Sequence, residues 1–170
     1  MRIMYLQPSA DWERIWTHLH ECWTKEAVKI NWYVVIHDIL PTNVRLHKIR
    51  LADSPLCGHC GEPDTVQHRV TACDVGARIW FWTKRRIAWI LRIDRAQIPP
   101  DWTTRSQFRL WPPQRHRAVL WILARMVWYR IEESQACTEQ GYSDFLRRTR
   151  WKAFQAKHRR TNVEHYLEIL

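Results

Sequence analysis

The sequence predicts a mostly α-helical fold, a helical bundle with one small cysteine-rich knuckle. Three observations predict it: apolar residues recur at helical spacing in several segments, no period-2 strand exceeds a few residues, and three cysteines and a histidine crowd into residues 57–73. Composition agrees, since 46% hydrophobic and 26% charged residues in a chain of 170 indicate a soluble folded protein of one ordinary domain or two small ones.

Ser9 is placed to cap a first helix that carries Trp12, Ile15, Trp16, Leu19 and Trp23 on one face. A second helix over about 27–40 uses Val28, Trp32, Val35, Ile36 and Ile39. Pro41 ends it, because proline disfavours helical geometry in the residue before it. Thr42 then stands as N-cap of a short helix with Leu46 and Ile49. Residues 54–64 hold Pro, Gly and Asp and read as a compact turn. A long helix over about 75–92 turns Ile79, Trp80, Ile87, Ile90 and Leu91 inward.

The pairs Pro99-Pro100 and Pro112-Pro113 make 94–113 an extended connector. Residues 114–133 form the next helix, apolar on nearly every side through AVLWILARMVW, the pattern of a helix buried on several sides. Gly141 breaks the chain, Ser143 caps, and a last helix covers about 144–158. The chain thus divides into N-terminal helices with the knuckle (1–93), the connector, and a C-terminal helical region (114–170).

Charge and motifs narrow the function. Lys+Arg exceed Asp+Glu by 27 − 17 = +10, which favours a polyanionic partner, nucleic acid before an acidic membrane surface. Seven basic and no acidic residues fall within 147–160, so most of the excess is one short stretch. No apolar run reaches the ~18 residues of a membrane helix, and the start is too short in apolar residues for a secretion signal, so an intracellular address, nucleus and/or cytoplasm, is expected. Only 4 Gly leave no Gly-rich phosphate loop, and no HExxH or GxSxG occurs. Glu132-Glu133 point about 100° apart on a helix and make no acid/base pair. A non-enzymatic role is expected.

The knuckle reads Cys57-x2-Cys60-x7-His68-x4-Cys73. Zn²⁺ favours four soft or borderline donors at tetrahedral corners, which three thiolates and one imidazole supply. Gly58 and Gly61 ease the turn between the first two sulfurs. A redox pair or simply buried thiols are the alternatives, but a redox pair normally opens a helix inside an α/β pattern, which is missing here. His59 is a competing donor, expected to face solvent. A filled Cys3His shell leaves no position for water, so one structural zinc per chain is expected.

Residues 37–73, HDILPTNVRLHKIRLADSPLCGHCGEPDTVQHRVTAC, followed by ARIW at 77–80, resemble the zinc-binding domain in the C-terminal region of non-LTR (LINE-type) retrotransposon reverse transcriptases. The resemblance rests on Leu40-Pro41-Thr42, on Leu46, on the Cys3His spacing and on Trp80. It implies Cys57, Cys60, His68 and Cys73 as metal ligands, and a role in holding template RNA or target DNA. The polymerase palm needs a paired-Asp motif for two Mg²⁺, and no Asp-Asp occurs; a restriction-like nuclease needs an acid two residues before a Lys, which is also absent. With Met1 and no polymerase upstream, a detached tail or fragmented copy is expected.

In RRTRWKAFQAKHRR, residues 147–160, the charges of Arg147, Arg148, Arg150, Lys152, Lys157, Arg159 and Arg160 wrap at least half a helix, and Trp151 and Phe154 are spaced to stack on bases or to dock on the bundle. Lys84-Arg85-Arg86, beside Trp80 and Trp82, is a second, weaker basic patch. The expected partners are RNA or DNA and the reverse transcriptase core, with no membrane. The rival functions are a scaffold module docking on a polymerase and an inactive transposon remnant.

Overall fold

The computed structural model describes residues 13, 16, 17, 20, 22, 24–98, 113–133 and 138–157; for 113–117, 133 and 150–157 it describes the backbone alone. The described part is helical, with a single antiparallel bridge, Leu56 to Pro63, in place of any strand. No described helix is long and apolar enough to cross a membrane. Of the expected first helix only Trp16 can be placed by its side-chain packing: it stacks on His37 at 5.0 Å, while Ser9, Trp12, Ile15, Leu19 and Trp23 lie outside the described residues.

Helix α1 (Glu26–Ile36) buries Val28, Trp32, Val35 and Ile36, residues that share one face at helical spacing. It stops before the expected Pro41. Asp38 takes a left-handed conformation (φ 54), its N–H donates to the Val35 carbonyl, and the Ile39 N–H donates to the Val34 carbonyl. This pair of bonds satisfies the last carbonyls and turns the chain away. Ile39, expected on the inner face, is therefore 42% exposed.

Helix α2 (Asn43–Lys48) follows Thr42 and ends in the same way, with left-handed Arg50 donating to His47 and Leu51 donating to Leu46. Ile49 consequently lies beyond the helix and is exposed, not packed as its spacing predicts. After the knuckle comes α3 (Asp74–Leu91), in which all five residues expected to face inward are buried. Left-handed Arg92 closes it.

The next stretch is not simply extended at its start. Asp94 accepts a bond from the Ala96 N–H and opens a 3₁₀ turn (Arg95–Gln97), which returns Ile98 to the core at 2% exposure. Residues 99–112, with Pro99-Pro100 and Pro112, lie outside the described residues.

Helix α4 (Pro113–Trp128) is the centre of the bundle. Every residue from Val119 to Val127 is buried, because α1 packs on one side and α3 on another. It continues as a π-helical turn (Tyr129–Glu133). Helix α5 (Glu139–Lys157) begins earlier than the sequence predicts, and Gly141 lies inside it. Thr138, not Ser143, is the cap: its Oγ1 accepts the Gly141 N–H at 3.0 Å. Ser143 instead accepts from the Arg86 guanidinium at 2.5 Å. Tyr142, Phe145 and Leu146 bury the inner face of α5, and the Tyr142 hydroxyl meets Thr83 Oγ1 at 2.8 Å. One apolar core therefore runs from Cys22 to Leu146, shared by helices on both sides of the connector.

Candidate metal centre

The knuckle is a short hairpin followed by a π turn and a helix start. In the hairpin the Cys57 N–H donates to Glu62 (2.7 Å), the Gly61 N–H donates to Cys57 (2.9 Å), and the Asp64 N–H donates to Pro55 (2.9 Å). Gly61 has φ +77, a conformation that a side chain would strain. This tight turn carries Cys57 and Cys60. The Cys-x2-Cys pair thus sits in a hairpin and not at the start of a helix, where a redox pair normally lies.

His68 opens the π turn His68–Ala72, and Cys73 follows directly after it as the N-cap residue of α3. Five residues apart, they would point about 140° from each other on a regular α-helix. The wider turn is closed by the Cys73 N–H donating to the His68 carbonyl at 2.7 Å, and extended backbone at Cys73 (ψ 148) starts α3 in a new direction. Gly76 makes the arrangement possible. A Cβ there would lie 2.7 Å from the Val70 carbonyl oxygen, so the first turn of α3 presses directly on the π-turn backbone.

The four side chains converge. Cys57 Sγ lies 3.8 Å from Cys73 Sγ, Cys60 Sγ lies 3.2 Å from His68 Nε2, and all four donor atoms fall within 4.8 Å of one another. Two thiolates bound at ~2.3 Å to a tetrahedral ion stand about 3.8 Å apart, so the donor set and its spacing fit zinc. Cys57 and Cys73 are buried while Cys60 is exposed at the rim. His59 is exposed and lies outside the cluster, as expected. Burial opposes ionisation of Cys57, but hydrogen bonds from the backbone of His59, the side chain of His68, the backbone of Cys60 and the side chain of Cys73 outweigh it and draw its pKa down to about 6. A metal needs such a thiolate. Zinc bound here would cross-link hairpin, π turn and α3; the protein's part is to hold the donors.

Residues 4–80 match the family model described as zinc-binding in reverse transcriptase. The match supports a reverse transcriptase zinc-binding domain over this segment. No curated protein and no solved structure matches the chain. The matched family is defined by zinc binding, not by catalysis, and the match ends within α3 at Trp80, a residue 4% exposed in the core.

Two residues of the zinc-binding domain that sequence reasoning missed hold its halves together. Asp64, 2% exposed, accepts bonds from the Asn43 N–H at 2.8 Å and from the Arg69 guanidinium, which also donates to the Pro41 carbonyl at 3.1 Å. Thr42 begins α2 as expected but makes no side-chain cap bond; Asp64, 21 residues away in sequence, caps the helix instead. The only signal was an acid and a base five residues apart within the motif.

Beyond the domain, the basic residues singled out from sequence are not brought together by anything described. Arg147 and Arg148 are exposed on α5, Arg147 pairing with Asp144 at 3.2 Å. Arg150, Trp151, Lys152 and Lys157 belong to α5 but their side chains lie outside the described residues, as do Arg159 and Arg160 altogether. The Lys84-Arg85-Arg86 patch is split. Lys84 lies over the buried Trp80 ring at 5.9 Å, Arg85 pairs with Glu139 at 2.9 Å, and Arg86 packs over Tyr142 at 5.4 Å.

Proposed function

We propose that this chain is a non-catalytic, zinc-dependent nucleic-acid-binding module from the C-terminal part of a retrotransposon reverse transcriptase, holding template RNA or target DNA. The convergence of Cys57, Cys60, His68 and Cys73 inside a matched zinc-binding domain carries this reading. One structural zinc, ligated by those four side chains, fixes how the helices after the knuckle are presented. The net charge of +10, concentrated in 147–160, supports a polyanionic partner.

The test is salt-titrated binding to single-stranded RNA, single-stranded DNA and duplex DNA. Engagement of all seven basic residues of 147–160 sets a limiting slope of roughly −5 for a single strand. Replacing Arg147, Arg148, Arg150 and Lys152 with Gln weakens binding and flattens that slope. Unchanged affinity and slope favour the second reading, a scaffold docking on the polymerase, which the exposure of Ile49 (60%) and Leu51 (72%) beside the knuckle supports.

A further inference from the structure

The geometry points to the outward face of α3 as a stacking platform for a single-stranded nucleic acid, separate from the basic 147–160 segment. The inference rests on the nucleic-acid reading above and adds a site to it. Of the aromatic residues on α3, Trp80 is in the core and Trp82 is half-buried, but Phe81 is 47% exposed and Trp89 is 57% exposed. At 100° per residue, Arg78, Phe81, Arg85 and Trp89 fall within an arc of about 80°, opposite the buried face, and Arg92 follows at the helix end. Arg78, Arg85 and Arg92 are all exposed. The two rings are therefore about 12 Å apart along the helix, farther than the ~3.4 Å between stacked bases, so they address different bases with Arg85 between them.

The charges complement a phosphate backbone. Arg95, brought back by the 3₁₀ turn, places its guanidinium over the Phe81 ring at 5.4 Å. An arginine plane on an aromatic ring is itself a surface on which a base stacks. Three carboxylates border the face, and none cancels it. Asp94 is engaged with the Ala96 N–H, and Asp74 lies at the helix start, ahead of the platform. Glu139 pairs with Arg85, but both side chains are about half exposed, 51% and 48%, and such a pair yields readily to a phosphate. An aromatic pair interleaved with arginines suits a strand with free base faces, whereas a duplex hides those faces in its stack.

The test uses the zinc-loaded 170-residue chain and fluorescence anisotropy with oligo(U), oligo(dT), an abasic deoxyribose-phosphate strand and duplex DNA. Alanine at a stacking aromatic costs at least about five-fold in affinity. The pair Phe81→Ala and Trp89→Ala is expected to lose about 25-fold on oligo(U) or oligo(dT), with salt slope, duplex affinity and abasic affinity unchanged. Trp89→Phe retains most of the binding. The loss on oligo(U) against that on oligo(dT) tells which strand the platform serves. Equal binding by the double variant, with unaltered zinc content and circular dichroism, overturns the platform and leaves the face to a protein partner. A wild-type chain that binds duplex DNA but no single strand likewise overturns the platform, whereas one that binds none of these probes overturns the nucleic-acid reading itself.

Discussion

Buried Asp64 and half-buried Arg69 form an ion pair that ties α2 to the knuckle. The Asp64 carboxylate caps α2 through Asn43, and Arg69 reaches across to the Pro41 carbonyl, so two charges join segments more than 20 residues apart. Burial works to raise the Asp64 pKa, but the Arg69 guanidinium and the Asn43 N–H prevail and hold it below its ordinary 3.8. Asp64→Asn is expected to cost about 2 kcal/mol or more at neutral pH, since a charged partner is left behind. The sign with pH follows from the lowered value. The unfolded chain takes up the proton first, so the contribution is whole above pH ~4 and fades as pH falls through the folded-state pKa. Paired urea titrations of wild type and Asp64→Asn should show their difference shrinking in that window.

Metal removal is a direct test of the knuckle. Metal analysis of the purified chain is expected to give one zinc. Strong chelation should lower the melting temperature, because the hairpin and π turn have little core of their own. Cys73→Ser should abolish stoichiometric zinc and reproduce the chelated melting curve. Full zinc in that variant would contradict the four-ligand arrangement.

Gly76→Ala should destabilise the chain by about 1–3 kcal/mol and weaken zinc retention, since its Cβ meets backbone atoms that cannot rotate away. Denaturant midpoints together with zinc competition by a chromophoric chelator measure both effects. Loss of stability with undiminished zinc affinity would mean that the π turn holds its donors without help from α3.

The helix stops make an opposite prediction. Asp38, Arg50 and Arg92 all occupy left-handed backbone that glycine adopts without strain. Arg50→Gly is expected to raise stability by a few tenths to about 1 kcal/mol, the relief of the left-handed cost less the added freedom of the unfolded chain. A thermal melt reads the sign.

Thr138→Ala is expected to cost about 1 kcal/mol, the usual loss of an N-cap. Capping at Ser143, which the Gly141 break predicts, would leave Thr138→Ala neutral. Chemical denaturation of the single variant decides between them.

Local pattern made much of this protein legible. The spacing of Cys57, Cys60, His68 and Cys73 announces a four-donor site, and the repeats through α1, α3 and α4 mark their buried faces, because helical periodicity and a tight turn are properties of neighbouring residues. Helix ends were less readable. Pro41 and Gly141 look like stop signals, yet Asp38 and Thr138 do the work, since a cap depends on which backbone groups are left without partners.

By itself, then, the sequence determined the fold class, the candidate ligands and the strongly basic character, all of which follow from residue type at short separations. Only the tertiary structure decided that Asp64 caps a helix 21 residues upstream, that Gly76 carries the contact between α3 and the π turn, and that Phe81 and Trp89 face outward while Trp80 is buried. Those outcomes turn on which surfaces the folded chain brings against each other, and a residue's exposure is set by neighbours that lie far away along the chain.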